Sequence, residues 1–118
     1  MNLFPKLVVS DAKGAIAFYT EAFGAKEADR YEMDGKIAHV RLVVGDAQFT
    51  LKDEDSVDPA PGDRAAVILM LEVADPDAVG ARMEAGGASV IFPIEDHPYG
   101  RMGRFRDPFG HVWIISRG

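Results

Sequence analysis

The order of structural signals along this chain occurs twice, and that repetition narrows the possible folds more than any single motif does. Val9 and Asp11 in the first half correspond to Val73 and Asp75 in the second. Gly24-Ala25 corresponds to Gly87-Ala88, and Gly45 to Gly110. Between these anchors each half reads strand, helix, strand, strand, strand.

In the first half, the apolar run "LFPKLVV" (3 to 9) reads as a strand. Ser10 or Asp11 then supplies a helix N-cap. Ala15, Ile16, Phe18, Tyr19, Ala22 and Phe23 recur at helical spacing, and Gly24 follows as a C-cap. Three strands are expected next: "AKEADRYEM", "KIAHVRLVV" and "AQFTLKD". Asp34-Gly35, a hairpin signal, separates the first two, and Gly45-Asp46 separates the last two. The polar stretch 54–65, with Pro59, Pro61 and Gly62, reads as a linker. "AVILMLEV" (66 to 73) opens the second half, and Asp75 with Pro76 starts a helix that Gly86-Gly87 ends. "ASVIFPI" is a strand, "EDHPYGRMG" is expected to be irregular, "RFRD" is a short strand, and "HVWIISR" is the last strand.

The expected fold is therefore α+β, with two tandem βαβββ units at 3–53 and 66–117 in a single domain spanning 1–118. The helices are expected near 12–23 and 76–85. In such a unit the helix covers one face of the sheet. Two units that turn their uncovered faces together form a curved mixed sheet around a cleft, the natural place for a ligand.

Composition removes several function classes. There is no cysteine, hence no disulfide, thiolate ligand or Cys nucleophile. A net charge of -6 argues against nucleic acid as a partner. No stretch is long and apolar enough to span a membrane. "MNLFPKLVVSDAKG" carries no basic leader, so the expected location is the cytoplasm. No phosphate-loop, zincin or nucleophile-elbow pattern occurs.

The duplicated βαβββ order, with "LVVSDAKGAIAFYTEAFGA" and "DPFGHVWIISR", resembles the vicinal oxygen chelate superfamily of glyoxalases, extradiol dioxygenases and bleomycin- and fosfomycin-resistance proteins. "HPYGRMGRFRDPFGHVW" is most similar to its PhnB-like branch. The resemblance implies the fold and leaves the reaction open, because this scaffold hosts many chemistries. It also implies where a metal would bind. The matching ligand positions are Phe4, Ile68 and Ile114, all apolar, so no metal and no cofactor is expected. These three residues are instead expected to line a ligand site. Phe49 is added to them as a residue near Ile114's matched place in the repeat.

Among polar groups, strand alternation puts His39 and Arg41 on one face, a donor pair for an anionic or carbonyl ligand. Tyr99 and Arg101 lie in the loop before the last hairpin, and Arg104 alternates with Arg106 around Phe105. His111, close to Asp107, is read as part of the turn. The leading functional reading is a small-molecule binder without the usual metal, taking an apolar or cationic ligand. An enzyme of the same superfamily is the alternative, a lyase or isomerase using His39, Tyr99 and Arg101 or a displaced metal set such as His39 with Glu95; no catalytic residue is assigned. A protein with a degenerate site is the third. A homodimer, with or without exchanged units, is the expected assembly.

Overall fold

The computed structural model describes residues 1–118 and divides into two compact units, Met1–Pro61 and Gly62–Gly118. In the first unit, β1 is Lys6–Val9, α1 Ala12–Phe23, β2 Lys26–Met33, β3 Lys36–Val44 and β4 Ala47–Asp53. In the second, β5 is Ile68–Val73, α2 Pro76–Ala85, β6 Ser89–His97, β7 Gly100–Arg106 and β8 Val112–Arg117. The α+β class and the βαβββ order are those expected.

Each unit builds a four-stranded sheet with the same connectivity, β1-β4-β3-β2 and β5-β8-β7-β6. The first strand of each pairs parallel with the last, and the other pairings are antiparallel. The repeat extends to register. Val9 pairs with Asp53 and Val73 with Arg117, so the partners in the two units differ by the same 64 positions (73 − 9 and 117 − 53).

Local chemistry explains the first unit. Asp11 is the N-cap of α1 and accepts from the Gly14 amide at 3.1 Å. A Cβ at Gly14 would lie 2.4 Å from that carboxylate, so glycine here lets the cap close. Gly24 ends the helix at φ 71°, a conformation glycine adopts without strain. The buried stripe of Ala15, Ile16, Phe18, Tyr19 and Ala22 packs on Val40, Leu42, Phe49 and Leu51 of the sheet. Asp53 fastens the helix to its sheet, because its two oxygens accept from the amides of Ala12 and Ile37, each at 2.8 Å.

In the second unit, Asp75 caps α2 through the Ala78 amide, with Pro76 in the first turn. Gly80 lets the helix close on the ring of Phe105, which a Cβ would approach to 2.9 Å. Phe105, Trp113 and Ile115 fill the layer under α2.

One element differs from expectation. "EDHPYGRMG" is a hairpin rather than an irregular segment: β6 runs through His97 and β7 begins at Gly100. Pro98 and Tyr99 form a two-residue turn, Gly100 takes φ 129°, and Asp96 pairs with Arg101 across the strands. The polar residues Glu95, Asp96 and Arg101 hide the strand alternation, and cross-strand pairing supplies what the sequence pattern lacks. Smaller differences are that β1 starts at Lys6 and β5 at Ile68, each later than the apolar run begins.

Candidate functional site

The second sheet has a covered face and an open one. Along β7, Gly103 and Phe105 turn toward α2, and Met102 and Arg104 turn away from it. Ile114 pairs with Arg104 and Met70 with Ile114, so the open face is continuous across β5, β8 and β7. Beyond β7, strand β6 carries two register shifts, between Val90 and Phe92 and between Phe92 and Glu95. These bulges set Phe92 opposite Arg104 on the open face.

A pocket of about 240 Å³ opens here. Phe92, Met102 and Ile114 give it apolar walls, and Gly103 lies at its base. His97 and Tyr99, at the hairpin turn, stack with ring centres 5.3 Å apart and planes 6° from parallel. Arg104 supplies the positive charge. Its guanidinium lies 5.7 Å from the centre of the Phe92 ring, and no carboxylate pairs with it. The pocket is a greasy, aromatic concavity with one cation on its wall.

The expected site residues separate into groups. Tyr99, Arg104 and Ile114 meet in this pocket. Ile68 lies on the same face of the sheet, at its edge, and is 42% exposed. Arg101 faces the other way. It makes a bidentate bond to Asp77 of α2 at 2.8 and 2.9 Å and a third bond to Asp96 at 3.0 Å. The bonded carboxylates raise the guanidinium's pKa, and Arg101 in turn holds Asp77 below the usual carboxylate range. Arg101 therefore fastens the hairpin to α2.

In the first unit, His39 and Arg41 share the face of the sheet opposite α1, together with Lys6 and Thr50. Arg41 is engaged by Asp29 at 2.9 Å and Gln48 at 3.1 Å. The Nδ1 of His39 is 2.7 Å from the Lys6 amine, and its ring sits beside Tyr31. Phe49 lies on the opposite side, buried under α1 with its ring edge-on to Tyr19 at 5.3 Å. Its odd–even relation to Thr50 assigns it to the core. Phe4 precedes β1 and is 40% exposed.

The residues at the superfamily's metal positions do not fit a metal. Phe4, Ile68 and Ile114 have no lone pair to donate. Nowhere do three His, Asp or Glu side chains gather in an arrangement able to hold an ion. His39 and Glu95, the displaced pair considered above, belong to different units.

Four pocket residues carried no assignment from sequence: Phe92, His97, Met102 and Gly103. Phe92 falls in the expected strand "ASVIFPI", and His97, Met102 and Gly103 fall in the segment expected to be irregular. The available signal was Pro93 within an apolar strand, which marks an edge or bulged strand.

The turn after β7 is held by one buried carboxylate. Asp107 is 3% exposed and accepts from the amides of Phe109 and His111 and from the indole Nε1 of Trp113, at 2.9, 3.0 and 2.8 Å. Gly110 completes the turn at φ 93°. His111 joins the turn through its backbone.

With this geometry in place, comparison identifies the class. Residues 4–115 match the family model of the Glyoxalase/Bleomycin resistance protein/Dioxygenase superfamily, and the chain belongs to that superfamily. Its sequence is 37% identical to the Mycobacterium tuberculosis protein Rv0887c over 98% of this chain and 73% of that protein. Among solved structures it is similar to the Arabidopsis thaliana At5g48480 gene product (26% identity, 99% and 98% of the two chains, TM-score 0.79). It is equally similar to TioX from Micromonospora sp. ML1 (25% identity, 99% and 98%, TM-score 0.78). No helix is long and apolar enough to cross a membrane.

Proposed function

We propose that this protein binds a small molecule in the pocket on the open face of the second sheet, and that the ligand carries an anionic group. Arg104 carries this reading: it is a guanidinium on an apolar wall, stacked on Phe92 and unpaired with any carboxylate. An anion there would complete a charge-assisted hydrogen bond beside an apolar wall. The ligand's apolar body lies against Phe92, Met102 and Ile114. The cationic ligand expected from the overall charge of -6 finds no carboxylate among the residues lining this pocket. Binding is favoured over catalysis because Arg101, one member of the catalytic trio considered, is bonded to two carboxylates. Within the superfamily, the run from His97 to Trp113 supports placement in the PhnB-like branch.

The reading is tested by NMR titration with benzoate and, in parallel, benzylamine. Benzoate should shift the amides of Phe92, Met102, Arg104 and Ile114, and benzylamine should not. Replacing Arg104 by Gln should weaken benzoate roughly tenfold or more, the loss of one charge-assisted bond. His111→Gln should leave it unchanged. Benzylamine shifting the same amides as strongly as benzoate would reject the anionic ligand.

We infer also that two copies associate. β5 is an edge strand, and Ile68 and Met70 on it, with Val67 just before, are 42%, 64% and 68% exposed. Apolar side chains along an open edge favour pairing with another chain. Sedimentation should give twice the 12.8 kDa chain mass. A single-chain mass at micromolar concentration would contradict this.

A further inference from the structure

The open face of the first sheet carries a group that the ligand pocket does not use. Lys6 on β1 and His39 on β3 reach over the intervening strand β4, and their Nζ and Nδ1 atoms are 2.7 Å apart. The charged groups around them are otherwise engaged. Lys52 of β4 is bonded to both Asp55 and Asp58, and Arg41 of β3 to Asp29. Lys6 has no carboxylate of its own; its bonded neighbour is an imidazole. The amine is also not in its ordinary state. Burial disfavours its charged form and the Lys52 ammonium adds to this, against a smaller opposing pull from Asp58, so its pKa is lowered.

A lysine amine beside a histidine, with no carboxylate to hold the proton, suits addition to a carbonyl. We propose that Lys6 and His39 form a carbonyl-capture site, in which Lys6 holds a small aldehyde as a protonated Schiff base. The imidazole takes the proton from the Lys6 ammonium and frees the nitrogen lone pair. That pair forms a bond to the aldehyde carbon, and the carbonyl oxygen receives the proton back from His39, giving a carbinolamine still protonated on nitrogen. His39 then takes that nitrogen proton and delivers it to the hydroxyl, which becomes a leaving water. The nitrogen lone pair so freed closes the C=N bond as the water departs. The balance is ammonium and aldehyde to iminium and water, with no oxidant or reductant. An imidazole suits both transfers because it takes up and returns a proton near neutral pH. The ring of Tyr31, centred 6.0 Å from that of His39, adds an apolar flank for the aldehyde's carbon chain. This site lies in the first unit and stands independently of the pocket proposed in the second.

The test uses the whole protein, propionaldehyde and cyanoborohydride at neutral pH, with early quenching and peptide mapping by mass spectrometry. Reduction traps the Schiff base as N-propyl-lysine. Lys6 should be modified roughly tenfold faster than Lys26 and Lys36, a modest share of what a positioned acid–base partner supplies at a less exposed site. In His39→Gln the Lys6 rate should fall to that of Lys26, with the melting temperature unchanged. If that variant does not fold, the wild-type rate ratio alone decides. Modification of Lys6 at the same rate as Lys26 and Lys36 would overturn the proposal, as would a folded His39→Gln protein that keeps the full excess.

Discussion

Replacing Asp107 by alanine is expected to destabilise the protein by about 3–5 kcal/mol. One carboxylate accepts three hydrogen bonds while 97% shielded from solvent: two from backbone amides in its own turn and one from the Trp113 indole. Alanine leaves all three donors without that acceptor. A stranded buried donor costs about 1–3 kcal/mol; the indole N–H is buried, the two amides are part-buried, and the three are not independent, so the total falls below three full costs. For a chain of this length the melting temperature should drop by roughly 10–25 °C. Asp107→Asn is the informative companion. Its amide oxygen can still serve Phe109 and His111, but its NH2 group then meets the indole N–H, donor against donor. The asparagine variant should therefore be intermediate, and adding Trp113→Phe should recover part of its loss. A loss below about 1 kcal/mol for alanine would mean that water reaches these donors and that the turn is not held from within.

Replacing Gly103 by valine is expected to be comparably severe, at about 3 kcal/mol or more. A Cβ at this position would lie 2.8 Å from the Ile94 amide nitrogen and 2.9 Å from the Phe92 carbonyl oxygen. Both are backbone atoms of β6, so the clash cannot be relieved by rotating a side chain. The strand must move away, and its bulged pairing with β7 moves with it. The effect reaches the pocket, because those bulges set Phe92 beside Arg104. Denaturant unfolding measures the stability, and the amide shift of Phe92 reports the displacement. A Gly103→Ala protein within 0.5 kcal/mol of the parent, roughly the scatter of an ordinary surface change, would show that β6 yields freely.

The scaffold was legible in the sequence because its signals are local. Asp11 and Asp75 mark helix starts, Gly24 a helix end, and the alternation in "KIAHVRLVV" sorts His39 and Arg41 from Val40 and Leu42. Pocket residues were harder to read because they depend on pairing between strands. A bulge shifts the odd–even pattern by one, so Phe92 could not be assigned to a face without knowing what lies opposite. Arg101 illustrates the same gap. A loop arginine near a cleft suggests a ligand contact, but its partner Asp77 lies 24 residues away in the first turn of α2. Trp113 and Asp107 are six apart, and only the turn between them makes them neighbours.

The parallel pairing of β1 with β4 and of β5 with β8 has a consequence for how the chain acquires its structure. In each unit the strand that comes last in sequence takes a central place in the sheet, between the first strand and the antiparallel hairpin. The hairpins β2–β3 and β6–β7 can form early from near neighbours, but β1 and β5 find no partner until some 40 intervening residues have been ordered. Until β4 is in place β1 has no partner strand, and β5 stands in the same relation to β8. A unit short of its last strand therefore leaves its first strand open to pairing with another copy of the chain.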